Sequence, residues 1–156
     1  MIKVLFVCYG NICRSVMAEM IFKSLIKDNG VSQDFVVASA GTSDEEARFN
    51  SPIYPMAKQV LRDNYIEVDA HYARQMTKAD YDKYDYIICM EEKNVKAVMD
   101  IIREDPDFKV YKLMDFTDNP IDIDDPWYHR DFERTFREIS LGCECLFDNL
   151  MKMQDL

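Results

Sequence analysis

The chain has 156 residues, 48% of them hydrophobic and 31% charged, with a formal net charge of −10. That length and apolar content suit a single domain spanning residues 1–156 with one sizeable core, and exclude a disordered chain. The acidity opposes contact with nucleic acid and with anionic membrane surfaces, so a phosphate-bearing ligand must be captured by a local positive site against the field of the whole molecule.

Ile2–Val7 (IKVLFV), apolar apart from Lys3, is rich in β-branched and aromatic residues, the pattern of a strand buried on both faces. It is too short for a signal-peptide core, and no run of about 18 apolar residues follows, so a cytoplasmic protein is expected. From Arg14 to about Lys27 the apolar spacing turns helical. Phe35–Ala40 is a second strand candidate ended by Gly41, and Thr42–Pro55 is a polar loop with two prolines. A helix is expected over Met56–Arg62, a strand over Tyr84–Met90, a helix over Glu91–Arg103 and a strand over Val110–Met114. Asp115–Pro126 is an acidic loop. A long helix from about Asp131 to Met151 carries one apolar stripe of Phe132, Phe136, Ile139, Cys143, Leu146, Phe147 and Leu150. Strands alternating with helices predict an α/β three-layer sandwich of flavodoxin-like type, with a four-stranded parallel sheet and a ligand site in the loop after the first strand.

The five cysteines (Cys8, Cys13, Cys89, Cys143 and Cys145) are odd in number and lack framework spacing, which argues against structural disulfides. Cys143 and Cys145 point to different faces of their helix, and His71 and His129 form no ligand spacing with them, so no metal or other cofactor is expected.

The loop after the first strand reads Cys8-Tyr9-Gly10-Asn11-Ile12-Cys13-Arg14-Ser15. Its peptide N–H groups can curl into an anion-binding nest, to which the following helix N-terminus adds positive partial charge. Gly10 and Asn11 are residue types that tolerate the left-handed angles a nest needs. Arg14 offers a planar fork for two phosphate oxygens. Cys8 lies at the base of the same donors, and a ring built for a phosphate dianion also stabilises a thiolate nucleophile. Ser15 can donate a hydrogen bond to the sulfur when it later leaves. A lone cysteine at a strand end is usually packing, and an arginine alone could cap a helix; the combination of strand, Cys, Gly-Asn, Arg, Ser and helix is what points to chemistry. The lysine and second glycine of the nucleotide-binding loop are absent.

The segment CYGNICRS after VLFV resembles the signature of the low-molecular-weight protein tyrosine phosphatases. Ser39-Ala40-Gly41-Thr42, His71 with Ala73-Arg74-Gln75, Tyr86–Asn94 and Asp124-Asp125-Pro126 resemble further stretches of that family, so the likeness covers nearly the whole chain. It implies hydrolysis of phosphotyrosine in proteins through a phosphocysteine on Cys8, with Arg14 and the loop N–H groups of residues 9–15 holding the phosphate. From the residues alone Asp122, Asp124 and Asp125 are equal candidates for an acid, and each could be a turn residue; the resemblance selects Asp125 as the proton donor and acceptor. It also implies that Asn11 and His71 brace the loop with Ser15 and Ser39, and that an oxidised Cys8 can be caught by Cys13 as a disulfide. Trp127 and Tyr128 are expected to wall the cleft opposite Tyr9 and Ile12, the alternative being core packing. No metal, nucleic acid or membrane partner is implied, and a monomer or weak homodimer is expected.

Three departures stand out. Val16 replaces a common proline, Glu91 replaces the usual aspartate, and Asp44–Met56 lacks the family's aromatic and Asp-Pro-Arg pattern, offering Glu45-Glu46 and Tyr54-Pro55 instead. The extra methylene leaves Glu91 without an expected role, and the two glutamates are expected to disfavour acidic phosphopeptides. Rival readings on the same fold are an arsenate reductase, a protein-arginine phosphatase and a non-catalytic phosphate-binding module. The first needs a cysteine where Lys96 stands, seven residues after Cys89, the second resembles relatives with threonine in place of Ile12, and the third leaves Cys8 and Asp125 unexplained.

Overall fold

Alternation along the first strand, β1 (Ile2–Cys8), sorts its side chains between two buried clusters: Ile2, Val4, Phe6 and Cys8 join one, Leu5 and Val7 the other. A strand with neither face in water belongs inside a sheet. β1 accordingly pairs in parallel with β2 (Phe35–Gly41) on one side and β3 (Tyr86–Cys89) on the other, with β4 (Val110–Lys112) beyond β3. The order β2-β1-β3-β4 is the parallel, flavodoxin-like sheet that the sequence predicts. The structure, a computed structural model, describes residues 1–154.

Helices α1 (Arg14–Asp28) and α6 (Phe132–Gln154) cover the Phe6 face, joined by α2 (Pro55–Asp63). The opposite face is covered by α3 (Ala79–Lys83) and α4 (Glu92–Ile102), through Tyr81, Val98 and Ile102. Phe22 anchors the first cluster, with ring centroids 5.7 Å from Phe6, 5.5 Å from Phe35 and 6.1 Å from Phe147. Such tilted and edge-on pairs add to the area they bury. α6 comes close to the segment after β4 because residue 142 is glycine: a Cβ there would stand 2.5 Å from Leu113 Cγ.

Several element ends differ from the sequence reading. β3 is shorter than Tyr84–Met90, because Tyr84 N–H donates to Asp80 O and closes α3, a five-residue helix too short to show periodicity. β4 stops at Lys112, and Leu113–Phe116 tightens into a 3-10 turn. Within the expected acidic loop and helix start lies α5 (Pro126–His129), one turn opened by Asp125.

Candidate active site

The chain from Cys8 to Ser15 leaves the carboxyl end of β1 and enters α1, at the point where β1's neighbours lie on opposite sides in sequence order. Asn11 holds its curl. It is fully buried with φ 61°, a left-handed conformation that asparagine tolerates. Gly10, expected to share that role, does not have a positive φ. The Asn11 Nδ2 group donates to Ser15 Oγ (2.9 Å) and Ser39 Oγ (3.0 Å), its Oδ1 accepts from Arg74 N–H (3.0 Å), and its backbone carbonyl lies 2.7 Å from His71 Nε2. Every polar atom of the side chain is thus engaged, as burial demands.

Because Ser15 Oγ accepts from Asn11, its own hydrogen is free for Cys8 Sγ, 3.0 Å away. On the far side, Ser39 donates to Glu19 Oε1 at 2.6 Å, and Lys23 Nζ meets Glu19 Oε2 at 2.6 Å. An unbroken chain of polar contacts therefore runs from the Cys8 sulfur to a partly exposed lysine. Gly41 supports the loop from behind: it stands opposite Cys8 in the sheet register, and a Cβ on it would lie 2.6 Å from Tyr9 O. Thr42 and Ser43 N–H groups then tie back to Cys8 O and Tyr9 O, at 2.9 and 3.0 Å.

The Arg14 guanidinium is buried at the floor. Its Nη1 donates to Ile123 O (2.9 Å) and lies 3.3 Å from Glu91 Oε2, while Nη2 is 3.7 Å from Asp125 Oδ2. Glu91, left without a role by the sequence reading, both caps α4 and aims Arg14; the longer side chain reaches the guanidinium. The three candidate acids separate clearly. Asp122 pairs with Lys112 (3.1 Å) and Asp124 with Arg134 (3.2 Å), whereas Asp125 faces Arg14 and caps α5 by accepting from Trp127 N–H at 3.0 Å.

Above this floor opens a cleft of about 620 Å³. Tyr9, Ile12, Glu45 and Glu46 line one side, with Tyr9 Oη donating to Glu45 Oε1 at 2.8 Å. Tyr54, Trp127 and Tyr128 line the other; Trp127 and Tyr128 are exposed, so the core-packing alternative does not hold. Cys13 is half-buried beside the cleft, with Sγ 3.8 Å from Met17 Sδ. Burial, then the Cys8 charge, pushes its thiol well above the ordinary range, and burial does the same for Cys89. Among the described residues no group of three or more His, Cys, Asp or Glu side chains is placed to hold a metal ion, and no helix is long and apolar enough to cross a membrane.

Glu19, Gly41, Glu91 and Tyr54 belong to the site without having been singled out for it by sequence. Glu19 did leave a signal: it is the one carboxylate inside the otherwise apolar run Val16–Phe22, where a buried charge needs a partner. The other three become visible only when distant segments meet.

Residues 3–155 match the family described as low molecular weight phosphotyrosine protein phosphatase. The chain is 34% identical over 158 residues to the low molecular weight protein-tyrosine-phosphatase YfkJ of Bacillus subtilis, covering 100% of both. It is 36% identical over 154 residues to the Homo sapiens low molecular weight phosphotyrosine protein phosphatase, covering 94% of each. The YfkJ crystal structure superposes with a TM-score of 0.92 at 35% identity, over 98% of this chain and 96% of that one. Vibrio vulnificus Wzb in complex with benzylphosphonate superposes at 0.83 with 28% identity, over 95% and 98%. A parallel sheet with a thiol, an arginine and a carboxylate gathered at one strand end defines an α/β phosphatase. The chain belongs to the low molecular weight phosphotyrosine protein phosphatase family.

Proposed function

We propose that residues 1–156 act as one protein tyrosine phosphatase domain that hydrolyses phosphotyrosine and small aryl phosphates in two displacements on Cys8. The observation that carries the reading is the convergence of Cys8, Arg14 and Asp125 on one floor beneath aromatic walls. The benzylphosphonate bound by Wzb is an aryl-bearing phosphorus oxyanion of the kind this cleft suits.

In the first step the Cys8 thiolate attacks phosphorus. The bond from phosphorus to the phenolic oxygen breaks as Asp125 delivers its proton to that oxygen, because a phenol leaves more easily than a phenolate. Arg14, its plane set by Ile123 O and Glu91, holds the equatorial oxygens with the loop N–H groups from Tyr9 to Ser15. In the second step Asp125 takes a proton from water. The water oxygen bonds to phosphorus, and the phosphorus–sulfur bond breaks to return the thiolate, which the Ser15 hydroxyl receives at 3.0 Å. Trp127, Tyr128, Tyr9 and Ile12 supply walls for a phenyl ring, and His71 and Ser39 keep Asn11, and so the cradle, in shape.

Charge stabilisation in this scheme comes from Arg14 and peptide N–H groups, so turnover is expected to survive EDTA. The decisive assay compares para-nitrophenyl phosphate with phosphotyrosine and phosphoarginine peptides. Cys8→Ser should abolish turnover, and Asp125→Ala should lower kcat by about 10²-fold or more with little change in KM. Near-normal metal-free activity in Cys8→Ser overturns the mechanism, and a preference for phosphoarginine overturns the substrate class.

A further inference from the structure

Asp125 sits in a turn that its own contacts do not immobilise. Its Oδ2 is 3.7 Å from Arg14, too far for a hydrogen bond, and its Oδ1 is occupied within the turn by Trp127 N–H. The aim of the carboxylate therefore depends on what holds residues 125–130 against the rest of the cleft.

Arg130 stands at that junction. Its backbone is left-handed (φ 63°), and its N–H donates to Pro126 O at 2.8 Å, closing the turn that Asp125 opens. Its side chain then crosses to the other segment of the wall. Nη2 donates to Tyr54 Oη at 3.1 Å and lies 3.1 Å from Met56 Sδ. The guanidinium carbon is 5.3 Å from the Trp127 ring centroid, 5.7 Å from Phe132 and 5.8 Å from Tyr54, all within cation–π range. Tyr54 completes the path: its ring stacks on Phe132 at 13° and meets Trp127 edge-on, and its backbone N–H donates to Ile12 O at 2.8 Å. One arginine thus links the turn bearing the carboxylate to the loop bearing the thiol.

We propose that Arg130 is a positioning residue for the aryl-phosphate reaction, clasping the Asp125 turn to Tyr54 so that the carboxylate points at the leaving oxygen and the aromatic slot keeps its width. The inference rests on the phosphatase reading above. It sets Arg130 apart from the other cations of the region: Arg14 lies under the phosphate, and Arg134 pairs with Asp124 outside the cleft.

The physical consequence is selective. A misaimed acid matters most when the leaving group is basic, and least when it departs unaided. Arg130→Ala should reduce kcat/KM for phenyl phosphate by about 10–30-fold, but for para-nitrophenyl phosphate by only about 2–3-fold. Inhibition by inorganic phosphate should not change, because the cradle beneath is untouched. Arg130→Lys, which keeps the charge but loses the fork, should recover part of the loss. In an Asp125→Asn background the Arg130→Ala effect on leaving-group dependence should vanish. Trp127 is the only tryptophan in the chain, so its fluorescence reports on the clasp without turnover: acrylamide quenching should rise in Arg130→Ala. Equal losses on both substrates with weakened phosphate inhibition, or unchanged kinetics with unchanged quenching, overturn the proposal. A wild-type protein inactive on both aryl phosphates overturns the function instead, and the quenching comparison then still decides whether the clasp exists.

Discussion

At the scale of single residues, the site depends on two that carry no reactive group. Asn11 converts one buried amide into ties with Ser15, Ser39 and the residue 74 backbone, and only a short polar side chain that tolerates φ 61° can do this. Gly41 answers a different need, close approach rather than unusual angles. Its Cβ would fall 2.6 Å from Tyr9 O and 3.1 Å from Gly10 C, both backbone atoms that cannot swing aside. Gly10 differs, since a Cβ there meets Glu46 Cγ at 3.4 Å and Ile12 Cγ1 at 3.9 Å, both side-chain atoms at ordinary contact distance. Gly41→Ala should therefore displace the cradle and weaken inorganic phosphate inhibition by about 10-fold or more, whereas Gly10→Ala should change it by about 2-fold or less. Inhibition constants for the two variants, measured side by side, check this. Equal effects would sink the steric account.

At the scale of elements, the short edge strand β4 shows how a loop can substitute for a long ladder. With only three residues, it is started by the Asp105 side chain, which accepts from Lys109 N–H (2.8 Å), Val110 N–H (3.2 Å) and Tyr81 Oη (2.6 Å). Tyr81 belongs to α3, so one carboxylate joins α3, the end of α4 and β4. Burial raises the Asp105 carboxyl, but the bonds from Tyr81, Lys109 and Val110 outweigh it and hold the group below the usual carboxylate range. A depressed folded-state value means stability present above the unfolded value of about 3.9 and lost as pH falls through the folded one. Asp105→Asn should then cost about 1 kcal/mol at pH 7, because solvent screens this partly exposed carboxylate. The difference from wild type should shrink below about pH 4, where the wild-type carboxylate takes up its proton. Urea denaturation across that range measures it, and a gap that stays constant with pH would remove the ionic part of the explanation.

At the scale of the whole molecule, a net charge of −10 surrounds a site designed around one buried arginine. Glu45, Glu46 and Asp125 line the same cleft, so a dianionic substrate approaches uphill until it reaches Arg14 and the N–H donors. Raising NaCl from about 20 to 200 mM shortens the Debye length from roughly 20 to 7 Å and screens that repulsion. The expected result is a rise of about 2-fold in kcat/KM for an acidic phosphotyrosine peptide, and a fall for one with net positive charge, whose attraction to the acidic chain is screened. A fall for the acidic peptide would show that local attraction, not the global field, governs encounter.

Much of this protein was legible in its residues. The run of β1, apolar apart from Lys3, pointed to a central strand, the alternation of strands and helices implied a parallel sheet, and Cys8, Arg14 and Ser15 lie within eight residues of one another, so the candidate cradle was visible as local spacing. Hydrophobic periodicity and loop chemistry are short-range properties, readable without a partner. What tertiary structure alone decided is long-range: that Asp122 and Asp124 pair with lysine and arginine away from the Arg14 guanidinium that Asp125 faces, that Glu91 aims it, that Ser39 joins Glu19 to the Cys8 contacts, and that Arg130 reaches Tyr54 76 residues away. Each depends on a meeting of segments far apart in the chain, and a single sequence carries no record of those meetings.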